Sequence, residues 1–294
     1  MNSEKFNKAK FLFTEGMEYL KDNKYSSAEK KFLQSLNLLP ERLSIVGNLF
    51  TIYFNTNNKI YLKNLLSRYE IYSNEKEILY GKAINYYFEE NFNESIVTCE
   101  YLLKFDEINE FILELLALNF QKKKLYLKSL KILKKRLNKK KDSNIYYNLG
   151  NFFFEIGKPN QAFYYYEKSK KLKSFDKSNL WNLSLCALNL GKLELGFSLY
   201  ENRWFKKTNT IKPKFSEITK PLNLNEIENK KILISDEQGL GDTIQFSRFV
   251  LDLLPYTKKI TFVVNKKLFT LFKNLHNRIT IIEYSNLKSN NFDY

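Results

Sequence analysis

The chain has 294 residues, 44% of them apolar, and a formal net charge of +16, a length that predicts about two folded units. Two widely separated cysteines, Cys99 and Cys186, and one histidine, His276, exclude a zinc site or a disulfide framework, so neither metal nor cofactor is expected. No run approaches the roughly 20 apolar residues that cross a bilayer, and the N-terminus Met1-Asn2-Ser3-Glu4-Lys5-Phe6 lacks the apolar stretch of a leader, so a cytoplasmic protein without a membrane partner is expected.

The first pattern from the N-terminus is a helical repeat. Leu12…Gly16…Tyr19…Ala28…Phe32…Ser35…Pro40 has the spacing of a helix-turn-helix unit of the tetratricopeptide kind, about 34 residues long. The frame returns clearly at Tyr146…Leu149-Gly150…Phe153…Ala162…Tyr166…Ser169 and at Leu180…Leu183-Ser184…Ala187…Gly196…Tyr200, with looser copies between. Starts near residues 9, 43, 76, 110, 143 and 177 predict an α-solenoid of about six repeats over 1–205. Small residues on each first helix (Gly16, Ala83, Ala117, Gly150, Ser184) are expected to admit large ones such as Phe32 and Tyr166 from its partner. A protein or peptide in the concave groove is the expected partner.

The net charge is spread along the chain, with one dense stretch from Lys122 to Lys141. There Lys128, Lys131, Lys134, Lys135 and Arg136 share a helix with Leu130, Leu133 and Leu137, the pattern of a solvated outer face. A phosphate-binding patch is the alternative, and nucleic acid is not an expected partner. Within the groove Asn48, Asn148 and Asn182 fall at the same place in their repeats, each before a leucine. An amide offers a donor and an acceptor, so such a row suits an extended peptide backbone. Asparagine tolerated at exposed helix positions explains it equally. The stretches Tyr147-Asn148-Leu149-Gly150 and Trp181-Asn182-Leu183-Ser184 resemble the repeats of O-linked N-acetylglucosamine transferases, in which such a ladder grips the acceptor protein.

After Trp204 the pattern changes. Residues 206–229, with Pro213, Pro221 and no sustained period, read as a linker. From 230 to 294 strand and helix alternate: strand Lys231–Ser235, helix Asp242–Leu254, strand Ile260–Val264, helix Lys266–Leu275, strand Ile279–Glu283. Such alternation predicts a parallel, Rossmann-like sheet, here incomplete. The first strand enters its helix through Asp236-Glu237-Gln238-Gly239-Leu240-Gly241-Asp242. Gly239 and Gly241 are expected to supply backbone angles that a side chain would obstruct and to leave room for a ligand. A dinucleotide is not the expected ligand, because the third glycine of that fingerprint would fall at Ile244 and Asp242 would repel a pyrophosphate. Asp242 reads as a helix cap and also as a general base at the mouth of a cleft.

Glu237-Gln238-Gly239-Leu240-Gly241-Asp242-Thr243-Ile244-Gln245-Phe246 with Arg248-Phe249 resembles the signature of bacterial proteins that join tetratricopeptide repeats to a glycosyltransferase domain related to the heptosyltransferases. Gly196-Phe197…Tyr200-Glu201…Arg203-Trp204 is similar to the end of that family's repeats. Phe249 stands where the family usually has tyrosine, and the linker lacks the usual tryptophan. The resemblance implies a GT-B architecture whose first domain holds the acceptor, with Asp242 matching the proposed base, Glu237, Gln238, Gly239, Gly241, Gln245 and Arg248 forming the acceptor loop, and no metal. The 65 residues after Asn229 are fewer than one Rossmann-like domain takes. A donor-binding domain on another chain is therefore a further expected partner, and the chain alone is expected not to transfer sugar. A non-catalytic interaction scaffold is the alternative function.

Overall fold

Six pairs of helices form the repeats. They are α1 (Ser3–Lys21) with α2 (Tyr25–Leu38), α3 (Leu43–Asn55) with α4 (Lys59–Arg68), α5 (Lys76–Phe88) with α6 (Phe92–Leu102), α7 (Glu110–Lys122) with α8 (Tyr126–Lys139), α9 (Ser143–Glu155) with α10 (Pro159–Leu172), and α11 (Lys177–Asn189) with α12 (Leu193–Tyr200). The computed structural model describes residues 3–107, 109–173, 176–205, 224–236, 239–287 and 292. The expected repeat starts at 43, 76, 110, 143 and 177 are the first residues of α3, α5, α7, α9 and α11. Side chains fix several of these starts: Asn109, Asp142 and Asp176 each accept a hydrogen bond from a backbone N–H of the first helical turn, satisfying donors the helix cannot.

Each first helix also ends in the same way. Asn23, Asn57, Glu90, Lys124, Gly157 and Gly191 have φ between 52° and 72°. The N–H after each donates to the carbonyl five residues back, for example Leu125 to Phe120 and Lys158 to Phe153, both at 2.8 Å. This is the helix-ending hydrogen bond that a left-handed residue closes. Glycine and asparagine take that conformation readily, but a Cβ on other residues crowds the following carbonyl. Lys124→Gly is therefore expected to stabilise the solenoid by about 0.5–1 kcal/mol, the relief of that crowding less the extra flexibility of the unfolded glycine. A urea midpoint unchanged or lowered in the variant would refute this.

The expected close packing of the pairs is present. A Cβ at Gly16 would lie 2.8 Å from the ring of Phe32, and one at Gly150 2.5 Å from the ring of Tyr166. Gly81 plays the same part between repeats, where a Cβ would lie 2.5 Å from Phe50. Phe32, Phe50 and Tyr166 are fully buried. Successive first helices pack on one another, α3 on α5, α5 on α7 and α9 on α11, more closely than successive second helices do.

The basic helix α8 departs from expectation at one residue. Lys128, Lys131, Lys134 and Lys135 are exposed, but Arg136 is buried. Its guanidinium stands 3.4 Å from Glu110 and 3.5 Å from Asp142, and Lys140 lies 3.3 Å from both carboxylates. Arg136 thus ties α7, α8 and the start of α9 together. It faces inward because two carboxylates from neighbouring helices meet there.

The chain divides into units Met1–Leu199 and Tyr200–Tyr294, a few residues before the expected boundary at 205. In the second unit β1 (Lys231–Ser235), β2 (Lys259–Val264) and β3 (Ile279–Glu283) form a parallel sheet in the order β1-β2-β3. Ile232, Ile260, Phe262, Val264, Ile279 and Ile281 face a core shared with Val250, Leu254, Leu268 and Phe272. Most of the expected linker lies outside the described residues, but Ile227 at its end is fully buried in this core. The helix expected over Asp242–Leu254 is two short ones, α13 (Leu240–Phe246) and α14 (Arg248–Asp252). At Ser247 the hydroxyl bonds the Ile244 carbonyl, and the Val250 N–H closes a tighter, three-residue bond to Ser247. The next helix, α15 (Lys266–Phe272), begins at Asn265, whose side chain caps the Lys267 N–H.

Candidate functional site

Two regions gather side chains able to do chemistry, one in each unit. In the solenoid, a cleft of about 290 Å³ opens between α3, α5 and the start of α7. Thr51 and Tyr80 lie at its floor, and Asn48, Glu77, Phe105 and Phe111 border it. Phe105 and Phe111 are 67% and 44% exposed, large apolar surface left open to water. Tyr80 is buried and its hydroxyl bonds Thr51; burial pushes the phenol above its usual range. One turn beyond Phe111 on the same helix stands half-buried Glu114. Desolvation raises its carboxyl, opposed by the charge of Arg136 and by the Asn148 amide beside it.

The three groove asparagines occupy equivalent positions but have different partners. Asn48 turns its Nδ2 to the carbonyl of Ser44 in its own helix, at 2.8 Å. Asn182 donates to the Tyr147 hydroxyl at 3.0 Å and to Asn151 Oδ1 at 2.8 Å, bridging α11 to α9. The Nδ2 of Asn148 is buried, and its amide lies beside the Glu114 carboxyl, which it lowers. Asn151, which completes this network, carried no signal in the linear sequence, and the spacing that picked out Tyr166 did not show that it and Tyr147 would join it. Their connection joins residues up to 35 positions apart.

Both cysteines are buried thiols, Cys99 pushed up to about 12 by burial and Cys186 to about 11, so neither is a nucleophile near neutral pH. Among the described residues no three metal-ligating side chains cluster, and no helix is long and apolar enough to cross a membrane.

In the second unit the carboxyl ends of the strands bring together Asp236, Asn265 and Tyr284. Parallel α/β sheets present their ligand sites at that edge. Asp236 continues the ladder, its N–H donating to the Val263 carbonyl at 3.1 Å. Its carboxylate accepts the Asn265 N–H at 2.9 Å and the Tyr284 hydroxyl, which also reaches the Asp236 carbonyl at 2.7 Å. Burial, reinforced by Asp236, pushes the Tyr284 phenol far up and keeps it a neutral donor. Asp236 is therefore occupied in joining the ends of the three strands, a role that the sequence reading missed.

Asp242 has a freer carboxylate. It is exposed, and its one hydrogen bond among the described residues comes from the Gly239 N–H at 3.3 Å. Gln245 and Arg248 are exposed as well, with the Arg248 guanidinium 4.8 Å from the Phe249 ring centre. Glu237 and Gln238 lie outside the described residues. The reason expected for the glycines is corrected here. Gly239 has φ −72°, open to any residue, and Gly241 is helical. A Cβ at Gly241 would meet nothing within 4 Å, and one at Gly239 only Asp242 at 3.6 Å. The backbone does not need glycine at either position; what glycine provides is open space beside Asp242.

Comparison with solved structures places the repeats among tetratricopeptide folds. A thermophilic TPR protein of Thermus thermophilus matches with a TM-score of 0.52 at 11% identity, over 61% of this chain and 99% of its own. The structure of the APC/C hetero-tetramer Cut9-Hcn1 matches with a TM-score of 0.56 at 15% identity, over 63% of this chain and 36% of the other. No family model and no curated protein matches the sequence. At these identities the likeness is one of fold: a helical-repeat solenoid of the tetratricopeptide type, followed by a small parallel sheet.

Proposed function

We propose that the repeats hold an extended segment of a protein partner along their inner face. The carrying observation is the cleft at which Asn48, Thr51, Tyr80 and the exposed Phe105 and Phe111 meet. The first helices that follow carry Glu114, Asn148 and Asn182. A peptide backbone needs donors and acceptors along its length, and the exposed rings offer its side chains apolar contact. Site-specific photo-crosslinking tests the reading. A photoreactive residue at Phe111 should label one defined partner segment, and the same residue at Lys134 on α8 should not. Equal labelling from both positions would exclude the groove as the binding face.

A second reading concerns the sheet. With the resemblance of its glycine turn, Asp242 fits the base of the acceptor-side half of a GT-B sugar transferase, taking a proton from an acceptor hydroxyl as the sugar arrives. The exposed, singly bonded carboxylate beside open space at Gly239 and Gly241 supports it. Gln245 and Arg248 would flank the acceptor, and a Rossmann-like donor-binding domain would bring the nucleotide sugar. Supplying such a domain in trans should produce transfer that Asp242→Ala removes. Transfer by the variant equal to that of the unaltered chain would remove Asp242 from the role of base, and none by either leaves the non-catalytic scaffold as the function.

A further inference from the structure

Two neighbouring second helices carry opposite charge. Between residues 70 and 114 eleven carboxylates stand among three lysines, and between 122 and 141 eleven cations stand with no carboxylate. Folding turns these segments into two surfaces. Helix α6 exposes Glu94 and Glu100 and has no lysine or arginine, whereas α8 exposes Lys128, Lys131, Lys134 and Lys135 and has no carboxylate. Lys128 and Lys134 fall 34 residues after Glu94 and Glu100, so one place on the repeat surface changes sign from one unit to the next. The two helices lie side by side and run the same way. Lys123, just before α8, donates to the Asn93 side chain at the start of α6, and Lys135 stands 3.9 Å from Glu107 in the link that follows α6. Among the described residues Glu107 is the one carboxylate within ion-pair distance of those four lysines, and no cation pairs with Glu94 or Glu100. Apolar side chains are set among the charges: Val97 and Tyr101 on α6 are 61% and 45% exposed, and Leu127 on α8 is 87% exposed. A cation does border the acidic strip, Lys104, whose Nζ lies 5.9 Å from the centre of the Tyr101 ring.

An acidic strip beside a basic strip is complementary to a second copy of itself. A two-fold axis parallel to the helices and midway between α6 and α8 lays α6 of one copy on α8 of the other, and α8 on α6. We propose that the chain pairs with a second copy of itself through this face, α6 against α8 in both directions. Glu94 and Glu100 of each copy then face the lysines of the other, and Val97, Tyr101 and Leu127 leave water. A two-fold axis across the helices would set α6 on α6 and α8 on α8, and like charges oppose it. A nucleic acid or an anionic membrane would satisfy α8 and be repelled by α6 beside it, whereas a second copy satisfies both. Helices of 11 and 14 residues side by side cover roughly 400 Å² per copy, about half of a standard interface. The dimer is therefore weak and reversible, and because exposed charges carry it, salt dissociates it. It uses the second helices and is independent of the groove reading.

Analytical ultracentrifugation of the full chain over a range of concentrations tests this. A monomer-dimer equilibrium is expected, its dissociation constant rising about tenfold or more between low and high salt as the charges are screened. Lys131→Glu with Lys134→Glu should weaken the dimer about tenfold or more, and so should Glu94→Lys with Glu100→Lys, because each sets like charges together. Mixed in equal amounts, the two variants should pair with each other. The intact α6 of the first meets the intact α8 of the second, and the two reversed helices meet with their signs exchanged. Misfolded chains cannot produce such a rescue. A photoreactive residue at the exposed Leu127 of the otherwise unaltered chain should also crosslink to α6 of a second copy, a readout that needs no charge reversal. A chain that stays monomeric up to about 100 μM, a dimer that either reversal leaves unchanged, folded variants that fail to pair when mixed, or a crosslink from Leu127 to a segment other than α6 would overturn the proposal.

Discussion

Arg136→Met is expected to destabilise the solenoid by about 2–4 kcal/mol at neutral pH, because it removes one partner from a buried charge cluster and leaves the others. The side chain is 3% exposed, while Glu110 and Asp142 keep 29% and 24% of their surface in water, so the cost falls below that of a wholly enclosed pair. Lys140 remains, but it is more than half exposed and cannot replace a buried guanidinium. The loss also reaches Glu114, whose carboxyl burial raises and Arg136 lowers. A glutamate raised in the folded state costs stability above its folded pKa and is relieved as pH falls through that value, since the folded chain then binds more protons than the unfolded one. Without Arg136 the rise is larger, so the deficit of the variant should narrow from neutral to mildly acidic pH. Urea titrations at both pH values measure it, and a deficit that widens on acidification would show that Glu114 is not coupled to Arg136.

Gly150→Ala is expected to cost about 1–3 kcal/mol, although alanine is the better helix former. The new Cβ would stand 2.5 Å from Cδ1 and Cε1 of Tyr166. That ring is 1% exposed and cannot swing aside without loss, because its hydroxyl donates to Asn151 at 2.9 Å and Asn151 also accepts from Asn182. Crowding at one carbon therefore loosens the contact between α9 and α11. In a double-mutant cycle, Tyr166→Leu should lower stability alone yet recover part of the loss in the presence of Gly150→Ala. Additive effects would place the cost elsewhere than in the ring contact. Repeat arrays need not unfold in one step, so fluorescence and circular dichroism should be followed together.

The repeat frame was legible because a solenoid is held by neighbours close in sequence. Small residues such as Gly16 and Gly150, and their partners Phe32 and Tyr166, recur with the period of the structure. Strands β1 and β3 fell on the expected residues for a similar reason, as each is an apolar run between turn residues. The left-handed helix ends were half-legible: Gly157 and Gly191 announce them, whereas Glu90 and Lys124 adopt the same conformation against their own preference because the repeat geometry imposes it. The glycines at 239 and 241 misled in the other direction, since a strand-to-helix turn suggested backbone need where the structure has ordinary angles. The row Asn48, Asn148 and Asn182 was visible as spacing, but its chemistry was not, because Asn48 bonds within its own helix while Asn182 bonds across to α9.

The amino-acid sequence alone determined how many repeats there are, where all but the first begin (α1 starts at Ser3, ahead of the expected residue 9), and that a parallel sheet follows them, because side-chain period and capping act over one or two turns. Tertiary structure decided which charges are spoken for. It drew Arg136 inward between Glu110 and Asp142, committed Asp236 to Tyr284 across 48 positions, and left Glu114 and Asp242 without a paired cation among the described residues. Pairing of this kind depends on distances between residues far apart in the chain, and folding alone sets those distances.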